Sequence, residues 1–449
     1  MLARTIPLHV RRGSPLPEPS GISAGAWIVL ASAFFGWMFD AMDMHLFTMI
    51  MLPALRDLMG PSAHDLMRIG GLIVGAKLLG IGLGGIYFGV LADRFGRARV
   101  MLATMLIYSL FTAASALAQN WQQLLALQMI AGIGLGGEWA AGAALVVESW
   151  PKRHRAKAVQ VMAAAAVVGQ IAAAMLAIVM FDLGWRWILA VGAVPAIVSL
   201  GLRFVTPESA EWKRSHEAAL QHKGPRMGSL SDIFGSSLRR RTVVGSLVAA
   251  AVMIGSWGGA VLFPSLLQAL VLGLSSTELT RQTGILFMAM NAGAALGFVS
   301  TLVLVWLKPR VSRRAVFAFY CGGAWLVSMF LYTAVDTVPL FRLGMFGFGY
   351  FALGAFGIVS IYLTELYPLH LRATGQGFTW NIARVFTAIG PLTVSAASST
   401  YGFNAVGIAI ASAFILGLVA VGFGPETGRE SSAEGMVSDA KLQRDRASR

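Results

Sequence analysis

Charge is scarce in this chain: Lys, Arg, Asp and Glu make up 12% of 449 residues, about half the share of a soluble protein. There is one cysteine, Cys321, so no internal disulfide can form. Only one histidine, His45, lies deep in an apolar stretch, and without histidine pairs or cysteine clusters a membrane redox enzyme has nothing to ligate haem or iron–sulfur. No nucleotide-binding motif occurs, which excludes a machine driven directly by ATP. Neither tail is long enough for a soluble signalling domain. No basic soluble domain stands behind the net charge of +14, so nucleic acid is not its partner.

Apolar residues are plentiful instead, at 56%, and they come in runs. Ala103–Ala118, Ala158–Phe181 and Gln282–Leu307 carry no charge at all. Runs of this length read as membrane-spanning helices. Twelve spans are expected, near 24–53, 67–92, 100–118, 121–148, 157–181, 184–205, 243–270, 281–307, 314–335, 338–364, 374–398 and 401–423. The first is too long for a secretory signal and lacks a small-residue cleavage pattern, so it is expected to be retained. Placing the amino terminus inside puts 27 Lys and Arg residues on the inner segments and five on the outer ones. The positive-inside rule therefore predicts both termini in the cytoplasm, with the basic residues facing anionic lipid headgroups.

The chain also repeats. "LADRFGRA" (91–98) aligns with "LKPRVSRR" (307–314), "ESWPKRHRA" (148–156) with "ELYPLHLRA" (365–373), and "PES" (207–209) with "PET" (425–427). The three offsets nearly coincide, which divides the chain into two halves. The expected organisation is a tail at 1–23, a six-helix half at 24–205, a basic linker at 206–242, a second half at 243–423 and a tail at 424–449.

Parallel six-helix halves are the plan of the major facilitator superfamily, and the motifs resemble that family's over the whole chain apart from the tails. "GVLADRFGRAR" (89–99) is similar to its signature loop between the second and third spans, and "PESAEW" and "PETGRE" to its half-ending motifs. The resemblance implies an all-α membrane protein of twelve helices in two pseudo-symmetric halves, with the loop in gating. Gly89 and Gly96 permit close helix approach and a tight turn. Asp93, Arg94 and Arg97 can latch the halves by ion pairs, in a network expected to include Glu148, Arg155, Glu365 and Arg372. Pro309 and Ser312 replace the Asp and second Gly in the other copy, so the latch should rest on the first-half loop.

Six ionisable residues lie deep in spans: Asp40, Asp43 and His45 in the first, Lys77 in the second, Glu138 in the fourth and Arg384 in the eleventh. Each costs about 2.5–3.5 kcal/mol at a helix centre, so each implies a partner or a wet cavity. Asp40 and Asp43, three apart, share a helix face. One can neutralise Lys77 while another carries protons. Asp43 is the first choice for the proton, leaving Asp40 for Lys77, with Glu138 as a third candidate. His45 reads as a packed or headgroup-level histidine. Trp139, Trp257, Tyr350, Tyr362 and Trp380 read as packing or interface anchors, and Gln170 and Asn291 as interhelical glue.

"FDAMD" resembles the D-x-x-D of aromatic acid:proton symporters, and "YLTELYPLHLRATGQGFTWNIAR" (362–384) a run of sialate/monocarboxylate:proton symporters. "GIGLGGEWAAGAALVVES" (132–149) is similar to the fourth span of both. By that resemblance Asn381 and Arg384 belong to an anion site, where a guanidinium offers a two-pronged fork to a carboxylate. One position departs: Gln128 stands where those families carry Arg, and Lys77 can supply the missing charge. The expectation is a monomeric, multi-pass inner-membrane symporter of protons and a small organic anion, without cofactor or metal. The alternative is a proton antiporter exporting amphipathic compounds.

Overall fold

The structure is a computed structural model that describes residues 22–60, 66–180, 183–192, 194–222, 224–271, 276–307, 311–388 and 390–427. Among these residues the chain forms helices and loops and no strand. The helices are α1 (Ala24–Met59), α2 (Leu66–Phe95), α3 (Arg97–Ser115), α4 (Trp121–Ser149), α5 (Arg155–Val179), α6 (Trp185–Gly192), α7 (Val194–Val205) and α8 (Ala210–Leu220). They continue as α9 (Arg239–Met253), α10 (Gly259–Leu270), α11 (Ser276–Leu307), α12 (Arg313–Thr333), α13 (Val338–Phe348) and α14 (Ala355–Glu365). The last are α15 (Arg372–Thr387), α16 (Gly390–Tyr401) and α17 (Phe403–Gly422).

Ten stretches among the described residues are long and apolar enough to cross a bilayer. Two of them are composite: π-helical turns at Ile254–Gly258 and Gly349–Leu353 join α9 to α10 and α13 to α14. Within the expected spans at 184–205 and 374–398 the described residues form α6 and α7, and α15 and α16, with residues 193 and 389 outside the described residues. The first helix runs past its expected end at 53, through Pro53, to Met59. Helix starts are closed by side chains that the local sequence supplies: Ser23 accepts from Ala26 N at 3.2 Å, Asn120 from Gln123 N at 2.8 Å and Ser312 from Ala315 N at 3.2 Å. The expected linker contains the amphipathic helix α8, capped by Ser209.

Helices that must pack in lipid cannot rely on a hydrophobic drive, so close backbone approach through small residues takes its place. Gly80 and Gly84 on α2 face α4, where a methyl group would overlap the carbonyl oxygens of Met129 and Ile133. Gly132 and Gly136 on α4 return the contact onto Lys77 and Ile81 carbonyls. The device recurs later in the chain, where Gly293 and Gly297 of α11 press on the carbonyls of Phe346 and Tyr350. Other glycines of α2 face α15: Gly82 lies against Val385, Gly85 against Asn381, and Gly89 would hold a methyl 2.7 Å from Ala373 O. A second contact joins early and late helices, where Gln160 Nε2 of α5 donates to Phe298 O of α11 at 3.0 Å.

Gly84→Ala should cost about 1–3 kcal/mol by overpacking and lower the apparent melting temperature in detergent by about 2–4 °C. Gly201→Ala, at a position with nothing within 4 Å, is the control and should hold or raise it slightly. Equal melting temperatures for the two variants would show that α2 and α4 have room to spare.

Candidate functional site

A cavity of about 70 Å³ lies among the helices, and α1 supplies more of its wall than any other helix. Trp37, Asp40, Ala41, Met44 and His45 line it, a spacing that defines one helical stripe. Ile81 of α2, Leu135 of α4, Ala166 and Gln170 of α5, Trp257 of the first π turn and Arg384 of α15 complete it. The π turn matters here, since an extra residue in a helical turn re-aims the side chain that follows. Gln170, expected to be glue, faces this cavity, and His45 does too. The His45 Nδ1 lies 2.8 Å from the Ala41 carbonyl oxygen, which only accepts, so Nδ1 carries the proton. His45 also rests 5.9 Å from the Trp257 ring, centroid to centroid.

Arg384 is held rather than merely placed. Its Nη1 donates to Asn381 Oδ1 at 3.1 Å, and Asn381 Nδ2 donates to Gly377 O at 2.8 Å. Asn381 is fully buried against Gly85 and does not line the cavity, so it orients the guanidinium and does not reach a ligand there. The guanidinium carbon stands 5.9 Å from the centroid of Trp37. Asp40 is the acid that acts on it electrostatically.

The structure reverses the expected pairing of the two aspartates. Lys77 Nζ bonds Asp43 Oδ2 at 2.7 Å, with both side chains buried, and lies 5.0 Å over the Phe47 ring. Residues three apart on a helix are offset by about 60°, and that offset separates the pair. Asp43 and Phe47 form the stripe toward α2, while Asp40 belongs to the stripe facing the cavity. Lys77 is therefore removed from the expected substrate residues. Glu138 is fully buried on α4 and does not line the cavity either. Gln128 donates to Ser115 Oγ at 2.9 Å, a neutral tie between α4 and α3.

Beside the cavity runs an aromatic column that crosses from early to late helices. Trp37 meets Trp139 at 4.6 Å, Trp139 stacks on Trp380 at 5.1 Å, and Trp380 meets Phe356 at 5.8 Å. Trp139 and Trp380 are packing residues, as the sequence suggests. Trp37 was not expected, although its position three before Asp40 was a usable signal.

Toward the face that carries the basic loops, the helices are fastened together. Asp93, at the end of α2, accepts from Ala373 N at 3.3 Å, Thr374 N at 2.8 Å and Thr374 Oγ1 at 2.7 Å. These N–H groups open α15, where a helix start favours a negative charge. Arg97 Nη2 bonds Asp93 Oδ1 at 2.8 Å, Glu148 Oε1 at 3.0 Å and the Leu369 carbonyl at 2.9 Å. Arg372 Nη1 reaches Glu148 Oε1 at 3.6 Å. Gly96 makes the turn with φ of +109°, and Arg94 Nε donates to Gly228 O of the linker at 2.8 Å. Arg155 bonds Glu211 of α8 at 2.6 Å, an acid outside the expected set.

Two acids the sequence reading did not assign explain why the half-ending motifs repeat. Glu208 accepts from Arg97 N at 2.9 Å and Ala98 N at 3.1 Å, closing the start of α3. Glu426 accepts from Arg313 N at 2.7 Å and from Ser312 Oγ, closing the start of α12 in the same way. Arg313, the repeat counterpart of Arg97, lies 3.4 Å from Glu365, the counterpart of Glu148. Thr427 Oγ1 donates to the same Glu365 at 2.5 Å.

An all-helical, multi-pass membrane protein with a charged interior cavity and an ion-pair latch at one end has the build of a transporter. The Major Facilitator Superfamily matches residues 26–391, and the chain belongs to that family. It is 29% identical over 414 residues to the cis,cis-muconate transport protein of Acinetobacter baylyi, covering 90% of this chain and 95% of that one. It is 26% identical over 397 residues to the sialic acid transporter NanX of Escherichia coli, covering 88% and 93%. Its fold matches the proton:xylose symporter XylE with a TM-score of 0.72 at 18% identity, over 90% of this chain and 96% of that chain. The protein is a transporter and not an enzyme.

The buried pair gives a stability test. Lys77→Met leaves Asp43 buried without its cation, which should destabilise by about 3–5 kcal/mol. Lys77→Met with Asp43→Leu should recover most of the loss in thermal unfolding. If the double variant is no better than the single, Asp43 has another cation.

Proposed function

We propose that the protein carries a small organic anion together with a proton, by alternating access of the central cavity. The observation that carries this reading is Arg384 and Asp40 facing one apolar, aromatic-walled space. Arg384 is the anion receptor: its fork is oriented by Asn381 and its charge is strengthened by low-dielectric walls. The muconate and sialate carriers among its relatives, both named for acids, support an organic acid as cargo.

Coupling follows from charge. Without cargo, Asp40 balances Arg384. A bound carboxylate takes over that role, and two anions beside one cation are relieved when Asp40 takes a proton. Cargo and proton then travel as a neutral set, and neither moves well alone. Asp40 replaces Asp43 as the proton carrier, since Asp43 is committed to Lys77.

The distribution of Lys and Arg supports a protein in the inner membrane with both termini in the cytoplasm, acting as a monomer. The fastened basic face is then cytoplasmic, and the Asp93–Arg97–Glu148 cluster is its gate. Gly89, Gly96, Arg94 and Arg372 serve the same gate, while Arg155 and Glu365 brace its two sides.

Uptake of labelled acids into proteoliposomes tests the reading. An inward-directed proton gradient should drive accumulation in the wild type, and a gradient that drives efflux instead would point to antiport. Asp40→Asn should abolish accumulation and spare exchange of internal for external substrate, which needs no net proton movement. Arg384→Lys keeps the charge and loses the fork, so binding should weaken at least about tenfold. Unchanged affinity in Arg384→Ala would remove Arg384 from the site.

The gate is tested separately. Asp93→Asn should slow transport and leave substrate affinity in detergent within about threefold, because it shifts the balance of open and closed forms and touches no ligand. A selective loss of binding would place Asp93 in the substrate site.

A further inference from the structure

Three arginines in a row, Arg239, Arg240 and Arg241, open α9 on the basic face. They lie beside the end of α17. Arg240 Nε donates to Phe423 O at 2.9 Å, and Arg314 Nη2, from the start of α12, donates to Gly422 O at 2.6 Å. These bonds satisfy helix-end carbonyls but bring in cations without a full countercharge. Among the described residues no carboxylate pairs with Arg239, Arg240 or Arg314. Nearby, Glu365 is engaged by Arg313 and Thr427, and Glu426 by Arg313 N and Ser312.

The same arginines head a groove of about 430 Å³, roomier than the central cavity. Ser236, Arg239 and Arg240 form its polar end, and Val243, Leu247 and Phe423 its apolar walls. Arg240, Val243 and Leu247 follow one another at helical spacing along one stripe of α9. Val243, Leu247 and Phe423 are exposed, at 48%, 49% and 62%, on the outside of the bundle where the bilayer lies. The groove thus descends from a pair of guanidiniums into an aliphatic channel between two helices, the outline of a phospholipid.

We infer that this groove is a binding site for an anionic glycerophospholipid of the leaflet that meets the basic face. The headgroup phosphate sits on Arg239 and Arg240, whose forks suit phosphate oxygens, and an acyl chain lies along Val243, Leu247 and Phe423. The lipid supplies the missing countercharge and bridges the start of α9 to the end of α17. It does not enter the transport path, and the inference stands apart from the choice of cargo.

Native mass spectrometry and thermal unfolding of the full chain in detergent test the inference. Phosphatidylglycerol should remain bound at low stoichiometry and raise the melting temperature by about 2–4 °C, where phosphatidylcholine does neither. Arg239→Gln with Arg240→Gln should cut retained phosphatidylglycerol at least about fivefold and remove the thermal shift. Because Arg240 also holds Phe423 O, Arg239→Gln alone is the second variant, expected to lose about half the effect or more. Arg239→Lys with Arg240→Lys should retain most binding. Equal stabilisation by phosphatidylcholine, full binding in both Gln variants, or a full shift with inorganic phosphate alone would each overturn the inference.

Discussion

The rest of the structure depends on how closely α2 approaches two other helices at once. Its glycines at 80 and 84 admit the backbone of α4, and those at 82, 85 and 89 admit α15. Backbone contact on both sides closes the seams that α2 makes with α4 and α15. It also sets the level of everything charged nearby. Asn381 reaches Arg384 from its place against Gly85, and Asp93 meets the opening N–H groups of α15 about two turns beyond Gly85. Substituting any of these glycines changes a spacing on which two ionic sites rely.

A second pattern concerns the price of burying charge in a chain that has so little of it. Deep cations are met by acids: Lys77 by Asp43, Arg97 by Asp93 and Glu148, while Arg384 shares its cavity with Asp40. The first pair is sealed on a helix–helix contact and acts as structure. The second sits where early and late helices meet and can part only when they do. The third faces the cavity. One chemistry thus serves three purposes, separated by what surrounds it.

Much of this was legible in the sequence. Hydropathy is a local property, so the spans stand out. The repeat is visible because both copies preserve the residues that fasten a loop to a helix start. What failed was partner choice. Asp40 and Asp43 look alike on a helix drawn by itself, and only the positions of α2 and α15 tell them apart. Arg155 was expected in the network without a partner, and its acid, Glu211, lies on α8, which was read as plain linker. Glu208 was visible as a repeated letter, but its role depends on a bond to a residue 111 positions away. No spacing rule reaches that far.

The two glutamates that close α3 and α12 have a mechanical consequence. Each follows the last helix of its half and grips a loop near the beginning of that half, so the chain is drawn into a noose with its knot on the basic face. The connecting segment is thus pinned where it meets the basic face, by Glu208 on the start of α3, Glu211 on Arg155 and Gly228 on Arg94.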